Sequence, residues 1–209
     1  MVAASDDEGL LAAWAKGDRG AGRTLVDRHL AAVGRFFANK VGSTSEAEDL
    51  VGETFQRLAA GLDRYRGDSS VRTYLFAIAH NVLREFLRRR QREANRAEPL
   101  DSIADLGPSP SLALARDRQE RLLLHALRAL PFDDQCVLEL SLFEEMSRAE
   151  IAAVTGIPAG TVAGRLTRAR QRLHEQVEAL SADPQLVAST TTDLARWARA
   201  LRESLMADT

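Results

Sequence analysis

The sequence predicts an all-α protein with two small helical domains, joined by a flexible acidic linker and followed by a C-terminal helical extension. Apolar residues recur at helical spacing through most of the 209 residues, and no segment shows sustained period-two alternation. No proline precedes Pro99, and three then fall between Pro99 and Pro110, which is typical of a linker. The predicted divisions are a first domain at 1–96, a linker at 97–111, a helix-turn-helix domain at 112–180 and an extension at 181–209.

The first two helices of the first domain are predicted from their end signals and apolar spacing. One covers about 6–16, with Ser5 and Glu8 as a capping box and Gly17 just past its end. The next covers about 21–41. The stripe that should face the core in this second helix comprises Val26, Leu30, Val33 and Phe37.

Two further helices complete the first domain. The third covers about 46–60 and carries Ser45 and Glu48 at capping-box spacing. A polar loop at 63–70 separates it from a long helix at about 71–92, which ends in an arginine-rich run. The inward positions expected in these two helices are Leu50, Val51, Phe55, Leu58, Leu75, Ile78, Val82 and Phe86.

In the second domain, helices predicted at about 114–130 and 132–143 lead into two helices joined by a tight turn. Ser147 stands three residues before Glu150, which is the spacing of a capping box at the start of a helix. Gly156 can adopt the left-handed dihedrals of a helix C-cap, and a proline two residues later favours the start of a new helix. The segment is therefore predicted to form a helix-turn-helix.

The helix after this turn, predicted at about 159–178, carries two neighbouring stripes. The inward stripe comprises Val162, Leu166, Ala169 and Leu173. The second stripe is shifted by one residue toward the N-terminus and comprises Thr161, Arg165, Arg168 and Arg172. Because one residue corresponds to a rotation of about 100°, the arginines lie beside the buried stripe, where a recognition helix presents groups to bases and phosphates. The pattern favours DNA binding, and the alternative is an ordinary solvated basic face.

Charge and composition restrict the class of protein. The net charge of the chain is −2, but the charges are unevenly distributed. The segment 84–96 has six arginines and two glutamates, whereas the segment 97–111 has three acidic residues and no basic residue. The single cysteine, Cys136, excludes an internal disulfide and is more typical of a core residue than of a nucleophile. No run approaches the ~20 apolar residues of a membrane span, and the N-terminus lacks an apolar stretch. We therefore expect a cytoplasmic protein with no membrane span.

Catalysis is not indicated by any cluster of reactive residues. The histidines are His29, His80, His125 and His174. They are scattered along the chain and lack metal-ligand spacing with Cys136. No glycine-rich phosphate loop occurs. We expect no catalytic residues, no metal, no cofactor and no small-molecule substrate.

Motifs in both domains follow each other in the order of one known family. They are Ala47–Phe55, Tyr65–Asp68, Arg72–Leu75, Ala79–Val82, the arginine cluster at 88–90, Leu130-Pro131, Glu150–Ala152, Gly160–Val162 and Arg165–Arg170. With these motifs the chain resembles the extracytoplasmic-function (ECF) sigma factors of bacterial RNA polymerase over nearly its whole length, to about residue 180. The resemblance implies an alternative sigma factor, in which the first domain docks on core RNA polymerase and opens the −10 promoter element while the second binds the −35 element. It also implies promoter DNA as a partner and, as in many members, an anti-sigma protein.

The resemblance assigns roles to residues of this chain. Core-polymerase docking falls on the helix face of Asp49, Glu53 and Gln56, for which a solvated face is the alternative. Contacts to the −10 element fall on Arg66, Gly67, Asp68, Ser69, Arg72, Tyr74, His80, Asn81, Arg88, Arg89 and Arg90. Contacts to the −35 element fall on Gly160, Thr161, Ala163, Gly164, Arg165, Arg168 and Arg172. Tyr74 is equally compatible with core packing.

Four residues depart from the usual pattern of the family. Gly52 stands where glutamine is usual, and His80 stands where arginine is frequent. Ala163 and Gly164 replace the lysine and serine that are common in the recognition helix. We therefore expect weaker phosphate affinity at His80 and an unusual −35 preference.

Two other classes of protein would also carry these helices. A conventional helix-turn-helix transcriptional regulator normally binds its operator as a dimer and acts without core polymerase. A helical adaptor would bind other proteins and no DNA.

The extension after residue 180 goes beyond the usual end of the family. Pro184 separates it, and Thr192-Asp193 can cap a helix. The apolar stripe of that helix would comprise Leu194, Trp197, Leu201 and Leu205. We expect a regulatory or docking element, with simple packing on the second domain as the alternative.

Overall fold

The computed structural model describes residues 6–93, 109–115, 117–183 and 185–188, and all regular secondary structure within these ranges is helical. The N-terminal bundle consists of α1 (Asp7–Ala15), α2 (Arg19–Ala38), α3 (Thr44–Ala60), the 3₁₀ turn Leu62–Arg64 and α4 (Val71–Glu93). The C-terminal bundle consists of α5 (Pro110–Leu114), α6 (Arg118–Arg128), α7 (Phe132–Leu142), α8 (Arg148–Thr155) and α9 (Ala159–Leu180). The predicted all-α class is confirmed.

Aspartates cap the first two helices. At α1, Asp6 Oδ1 accepts a hydrogen bond from the Gly9 backbone N–H at 2.7 Å. The predicted cap, Ser5, lies outside the described residues. At α2, Asp18 Oδ1 accepts from the backbone N–H of Gly20 at 2.8 Å, and this helix begins two residues before the predicted start.

The start of α3 also differs from the prediction by two residues. Ser43 is the N-cap, and its Oγ accepts a hydrogen bond from the Glu46 backbone N–H at 3.2 Å. Glu46 Oε2 accepts in turn from the Gly42 backbone N–H at 3.0 Å. The prediction of Ser45 and Glu48 was wrong because three hydroxyl residues are consecutive here, and spacing does not show which one adopts extended dihedrals.

The helix predicted at 114–130 is present as α6, which begins four residues after the predicted start. Ala115 has extended dihedrals (φ −62°, ψ 123°) and follows α5. Asp117 then starts α6, where its Oδ1 accepts a hydrogen bond from the Glu120 backbone N–H at 2.8 Å. The short helix α5 before this break was not predicted, and the aspartate cap is the local signal that marks the start of α6.

The helix-turn-helix forms as predicted. Ser147 Oγ accepts from the Glu150 backbone N–H at 3.3 Å, while Glu150 Oε2 accepts from the Ser147 backbone N–H at 2.9 Å. The hydrogen bonds from Ser147 lower the pKa of the Glu150 carboxyl group. Gly156 is the C-cap of α8 with φ +74°, in the left-handed region. Both end signals of α8 are therefore confirmed.

The inward face of α2 is rotated from the predicted one. Its fully buried apolar residues are Leu25, Val33 and Phe37. Phe36 packs edge-on against Phe37 and Phe76, with ring centroids 5.4 and 5.7 Å apart. The inward position predicted for Leu30 was wrong, since 39% of this residue is exposed. Leu30 follows buried His29 by one residue, which places it about 100° around the helix from the core-facing side.

The two bundles lie directly against each other. α4 packs along α8, and the buried apolar residues of both bundles form one continuous cluster. Residues 94–96 of the first domain and residues 97–108 of the predicted linker lie outside the described residues. The same is true of the extension from 189, including the helix predicted around Leu194. The contact between the domains was not predicted from the sequence.

Replacing Gly156 with Ala should destabilise the chain, whereas replacing Gly52 with Ala should stabilise it. Gly156 has φ +74°, where an alanine Cβ is strained, so Gly156→Ala should lower the unfolding free energy by about 1 kcal/mol. Gly52 lies within α3 with open space at the Cβ position, so Gly52→Ala should raise that free energy by about 0.5–1 kcal/mol. Urea unfolding followed by circular dichroism measures both. A stabilising Gly156→Ala would contradict the left-handed cap.

Candidate nucleic-acid interface

The N-terminal half of α9 lies at the surface of the C-terminal bundle. The buried stripe of Val162, Leu166, Ala169 and Leu173 is as predicted. On the other side, Gly160, Thr161, Gly164 and Arg168 are exposed, and Ala163 is half-buried. Arg168 extends across Gly164, since a Cβ at Gly164 would lie 3.5 Å from Arg168 Nη1. The exposed surface at the start of this helix therefore includes accessible backbone, the hydroxyl group of Thr161 and the guanidinium group of Arg168.

Two arginines of the predicted recognition stripe are held by the first turn of α7. Arg165 Nη1 lies 2.8 Å from Asp133 Oδ2 and 3.9 Å from Asp134 Oδ1. Arg172 forms an ion pair with Asp134. These pairs fasten α9 to α7 and place an aspartate beside the Nη1 group of each arginine. Within the described residues, Arg168 forms no such ion pair.

A cleft beside the recognition helix brings two further arginines together. It has a volume of about 380 Å³ and lies between the C-terminal end of α7, the start of α8 and the middle of α9. Arg148 and Arg170 line it and are both exposed. Sequence reasoning missed them as site residues, although the position of Arg148 in the first turn of a capped helix is a signal for phosphate contact.

The loop before α4 holds the residues assigned to capture of an unstacked base. Arg66, Gly67 and Asp68 are exposed, and Gly67 has φ +77°. The Tyr65 hydroxyl donates to the Ser69 carbonyl at 2.6 Å and ties the loop to itself. The loop is thus exposed at its centre and fastened at its end.

Tyr74, in the first turn of α4, packs against a neighbouring tyrosine. Its ring centroid lies 5.5 Å from that of Tyr65, and the side chain is half-buried. The packing role left open by the sequence is therefore present in this structure.

The later turns of α4 carry a cationic surface. Asn81, Arg88 and Arg89 are exposed. Arg88 and Arg89 line a shallow surface cleft of about 660 Å³ together with Glu85, Gln91 and Arg92. Arg90 instead forms an ion pair with Glu46 of α3. Two of the three clustered arginines are therefore turned toward solvent.

Arg72 and His80 of α4 lie in the contact between the bundles. Arg72 Nη2 donates to the Glu144 carbonyl at 2.7 Å and to Glu144 Oε2 at 2.6 Å. The His80 ring stacks on Phe132 with centroids 5.7 Å apart, and its Nε2 is buried without a hydrogen-bond partner. In this conformation His80 is buried beneath the C-terminal bundle, whereas the side chain of Arg72 is held by Glu144 but remains 32% exposed.

The environment of His80 keeps its imidazole neutral. Burial lowers its pKa to about 4, aided by the positive charges of Arg84 and Lys40 and opposed by Asp133. A neutral, covered ring provides no cation for a phosphate. The weak phosphate affinity expected at this position therefore has a physical cause in this conformation.

The face of α3 assigned to polymerase docking is exposed. Asp49 and Gln56 are exposed and share a side of the helix with Glu53. Glu53 Oε1 lies 2.5 Å from Arg57 Nη2, and Arg57 also binds Glu85 of α4. The carboxylate of Glu53 therefore belongs to a network between α3 and α4, whereas Asp49 and Gln56 are directed outward.

The described residues give no sign of a metal centre or a membrane helix. No group of three or more His, Cys, Asp or Glu side chains among them could hold a metal ion. None of the described helices combines the length and hydropathy required to cross a bilayer. Burial raises the pKa of the Cys136 thiol to about 12, as expected of an unreactive core residue.

Comparison with protein families finds two matching models, one in each bundle. Sigma-70 region 2 matches residues 25–93, and sigma-70 region 4 matches residues 120–173. The RNA polymerase sigma-H factor of Pseudomonas aeruginosa is 30% identical over 190 residues, covering 86% of this chain and 98% of its own length. The ECF RNA polymerase sigma-E factor of Escherichia coli K12 is 29% identical over 175 residues, covering 79% and 91%.

Two solved structures share the fold. CnrH, solved in complex with the cytosolic domain of CnrY, is 27% identical with a TM-score of 0.63, covering 84% of this chain and 99% of that one. The sigma factor RpoE of Bartonella quintana, solved with the anti-sigma factor NepR, is 24% identical with a TM-score of 0.60, covering 75% and 96%.

The two bundles, with an outward recognition helix on one and a cationic helix on the other, define a promoter-binding protein of the sigma class. The chain belongs to the sigma-70 family, in its ECF group, and is an alternative sigma factor that directs RNA polymerase to promoters. Members of this family are in general DNA-binding initiation factors rather than enzymes.

Lowering the pH should destabilise the chain partly through His80. Its pKa is about 4 when folded and about 6.5 when unfolded, so between these values the unfolded chain binds more protons and the unfolding free energy falls with falling pH. At pH 5 this contribution should be about 2 kcal/mol. In His80→Gln the loss of stability between pH 7 and pH 5 should be smaller by about that amount. Parallel pH profiles for the two proteins would contradict a buried, neutral His80.

Proposed function

We propose that the two bundles divide promoter recognition, with the C-terminal bundle binding the −35 element and the N-terminal bundle opening the −10 element. The observation that carries this proposal is the capped helix-turn-helix, whose second helix buries its apolar stripe and exposes its N-terminal residues. In such motifs these residues contact base edges in the major groove, while neighbouring cations bind phosphates.

At the −35 element, Arg168 is the proposed base-contacting arginine. Its side chain is exposed and lies over Gly164, and the open space at Gly160 allows close approach of the backbone to DNA. Thr161 adds a hydroxyl group, and Ala163 adds a small apolar contact. Arg165 and Arg172 would bind phosphates after exchanging their aspartate partners for DNA.

At the −10 element, the loop Arg66–Ser69 and the exposed side of α4 are proposed to hold the displaced strand. Removing a base from the stack costs a few kcal/mol, which contacts to the base and its phosphates must offset. Asn81 offers hydrogen bonds, and Arg88 and Arg89 offer charge for duplex phosphates. Arg90 contributes less because Glu46 already neutralises it.

For docking on core polymerase, the proposed surface is the α3 face of Asp49, Glu53 and Gln56. It is a polar face opposite the buried Leu50 and Phe55 side. A polar face of this kind suits a partner that is acquired and released.

We further propose that the chain supplies no catalytic group and acts in the cytoplasm as a subunit of the holoenzyme. An anti-sigma protein is a proposed additional partner. The structural relative CnrH, which is 27% identical, was solved with a second protein bound.

Reconstitution with core polymerase tests the sigma function against an independent helix-turn-helix regulator. A sigma factor should give specific promoter complexes and transcripts only when core polymerase is present. Strong specific binding by the chain alone, with no effect of core polymerase, would favour the regulator.

In holoenzyme, Arg168→Ala should weaken binding to a promoter that depends on its −35 element by about 1–3 kcal/mol and relax specificity at one position. The control is Arg118→Ala, an exposed arginine of the same bundle beside Leu180. Leu180 lies about 18 Å further along the helix axis from Arg168. Competition binding with −35 variants measures both, and an unchanged promoter profile for Arg168→Ala would remove Arg168 from the site.

Removing the Asp49 carboxylate should weaken the affinity for core polymerase. We expect Asp49→Ala to cost about 1 kcal/mol, or roughly fivefold in the dissociation constant, because an outward charge on the docking face is lost. Glu48→Ala is the matched control, since Glu48 is exposed on the same helix but lies about 100° away. Fluorescence titration of labelled chain with core polymerase measures both constants. Equal losses in the two variants would contradict docking on this face.

A further inference from the structure

A shallow cleft lies between α6 and the C-terminal end of α9. It has a volume of about 410 Å³. Its apolar lining comes from Leu122, Leu180 and Leu186, and its basic lining comes from Arg118, Arg121 and His125. The three basic residues are exposed, whereas Leu122 is buried. The α6–α9 cleft therefore combines an apolar surface with exposed basic residues.

Leu180 leaves this cleft partly uncovered. It is the last residue of α9 and is 50% exposed. Among the residues that the structure describes, Leu30 of α2 is the only other large hydrophobic residue that is exposed, at 39%. A single exposed leucine is ordinary, but Leu180 shares the cleft with two further leucines. This apolar surface is suited to an apolar side chain from another segment.

The chain beyond α9 turns back toward the cleft. Asp183 Oδ1 accepts hydrogen bonds from the backbone N–H groups of Gln185 at 3.0 Å and Leu186 at 3.2 Å. The helical turn at 185–188 packs Leu186 and Val187 against the core. Because Leu186 also lines the cleft, the extension from residue 189 begins beside it.

The extension has the length to cover this cleft. Its predicted helix, which lies outside the described residues, would present an apolar stripe from Leu194 to Leu205 over about 16 Å. α6 has 11 residues and is also about 16 Å long. The residues 189–194 can span about 20 Å when extended. A helix that starts there can therefore lie along α6.

Size and charge distinguish the extension from other occupants of the cleft. Stable interfaces between separate proteins bury roughly 1,000 Å² or more, which is far more than three leucines provide. A tethered segment needs less area, because the tether keeps its effective concentration near the millimolar range. A second copy docked symmetrically would bring Arg118 and Arg121 of both copies together, and like charges repel. The extension is therefore the occupant that fits best.

We propose that the α6–α9 cleft is the docking site of the chain's own C-terminal helix, whose apolar stripe covers Leu180 and Leu186. Trp197 supplies the largest contact area of any residue in that stripe. The docked helix then belongs to the C-terminal bundle, and the end of α9 is closed to other partners. This inference goes beyond the proposed function and does not depend on it, because the cleft contains none of the residues assigned to DNA or polymerase.

The fluorescence of Trp197 in the full chain tests this docking. The chain has two tryptophans, so Trp14→Phe leaves Trp197 as the only one. In this background, Leu180→Gln removes the exposed leucine of the cleft, and Leu30→Gln removes the exposed leucine of α2 as the matched control. The isolated peptide 189–209 gives the emission of an undocked Trp197. Circular dichroism checks the helical content of each variant.

If the helix docks, Trp197 should emit at a shorter wavelength in the parent chain than in the peptide, and acrylamide should quench it several-fold less. Leu180→Gln should shift both values toward those of the peptide, and Leu30→Gln should leave them unchanged. Peptide-like emission in the parent chain, or equal effects of the two substitutions, would overturn the proposal. Protection of Trp197 that increases with protein concentration would assign the cleft to a second copy and would equally overturn it.

A nitroxide label locates the extension without changing Leu180. Spin labels quench tryptophan only at short range, and buried Cys136 does not compete for the label. A label on Arg121→Cys, at the cleft, should quench Trp197 strongly, whereas a label on Arg23→Cys of α2 should quench it little. Equal quenching from the two positions, or the opposite order, would contradict docking in the cleft. This measurement decides the question if Leu180→Gln loses helical content.

Discussion

The arrangement of the molecule depends on carboxylates of one bundle lying against cations of the other. Glu139 and Glu144 are nearly buried, and burying a carboxylate away from water is costly unless a cation or hydrogen-bond donor lies close by. Lys40, Arg35 and Arg72 meet this need from α2 and α4. The same contact determines which surfaces are accessible: the side of α4 at His80 is covered, while the N-terminal half of α9 is exposed.

In this arrangement the two proposed DNA-binding surfaces differ in how accessible they are. The capping box, turn and buried stripe of the helix-turn-helix are formed within its own bundle, and Thr73 of α4 adds one hydrogen bond to Glu150. On α4, the side proposed to contact the −10 strand is divided: His80 is buried against the C-terminal bundle, whereas Asn81, Arg88 and Arg89 are exposed.

The sequence predicted the features that depend on short-range order. The capping box at Ser147, the left-handed cap at Gly156 and the inward stripe of α9 follow from spacing and from the conformational freedom of glycine. Errors arose where several equivalent signals competed, as at the start of α3, or where the neighbours of a helix decide its inward face, as at Leu30. The ion pairs of Arg165 and Arg72 join residues distant in sequence, and no local pattern encodes them. The roles assigned to individual site residues still await the tests above.

The distance between the bundles, measured before and after assembly with polymerase, tests this arrangement most directly. Donor and acceptor dyes on exposed positions such as Arg23 of α2 and Glu175 of α9 report this distance by single-molecule energy transfer. Buried Cys136, with its raised pKa, interferes little with thiol labelling at introduced cysteines. We expect a high energy-transfer efficiency in the free chain and a low efficiency in the promoter complex with core polymerase. The same transfer efficiency in both states would contradict it.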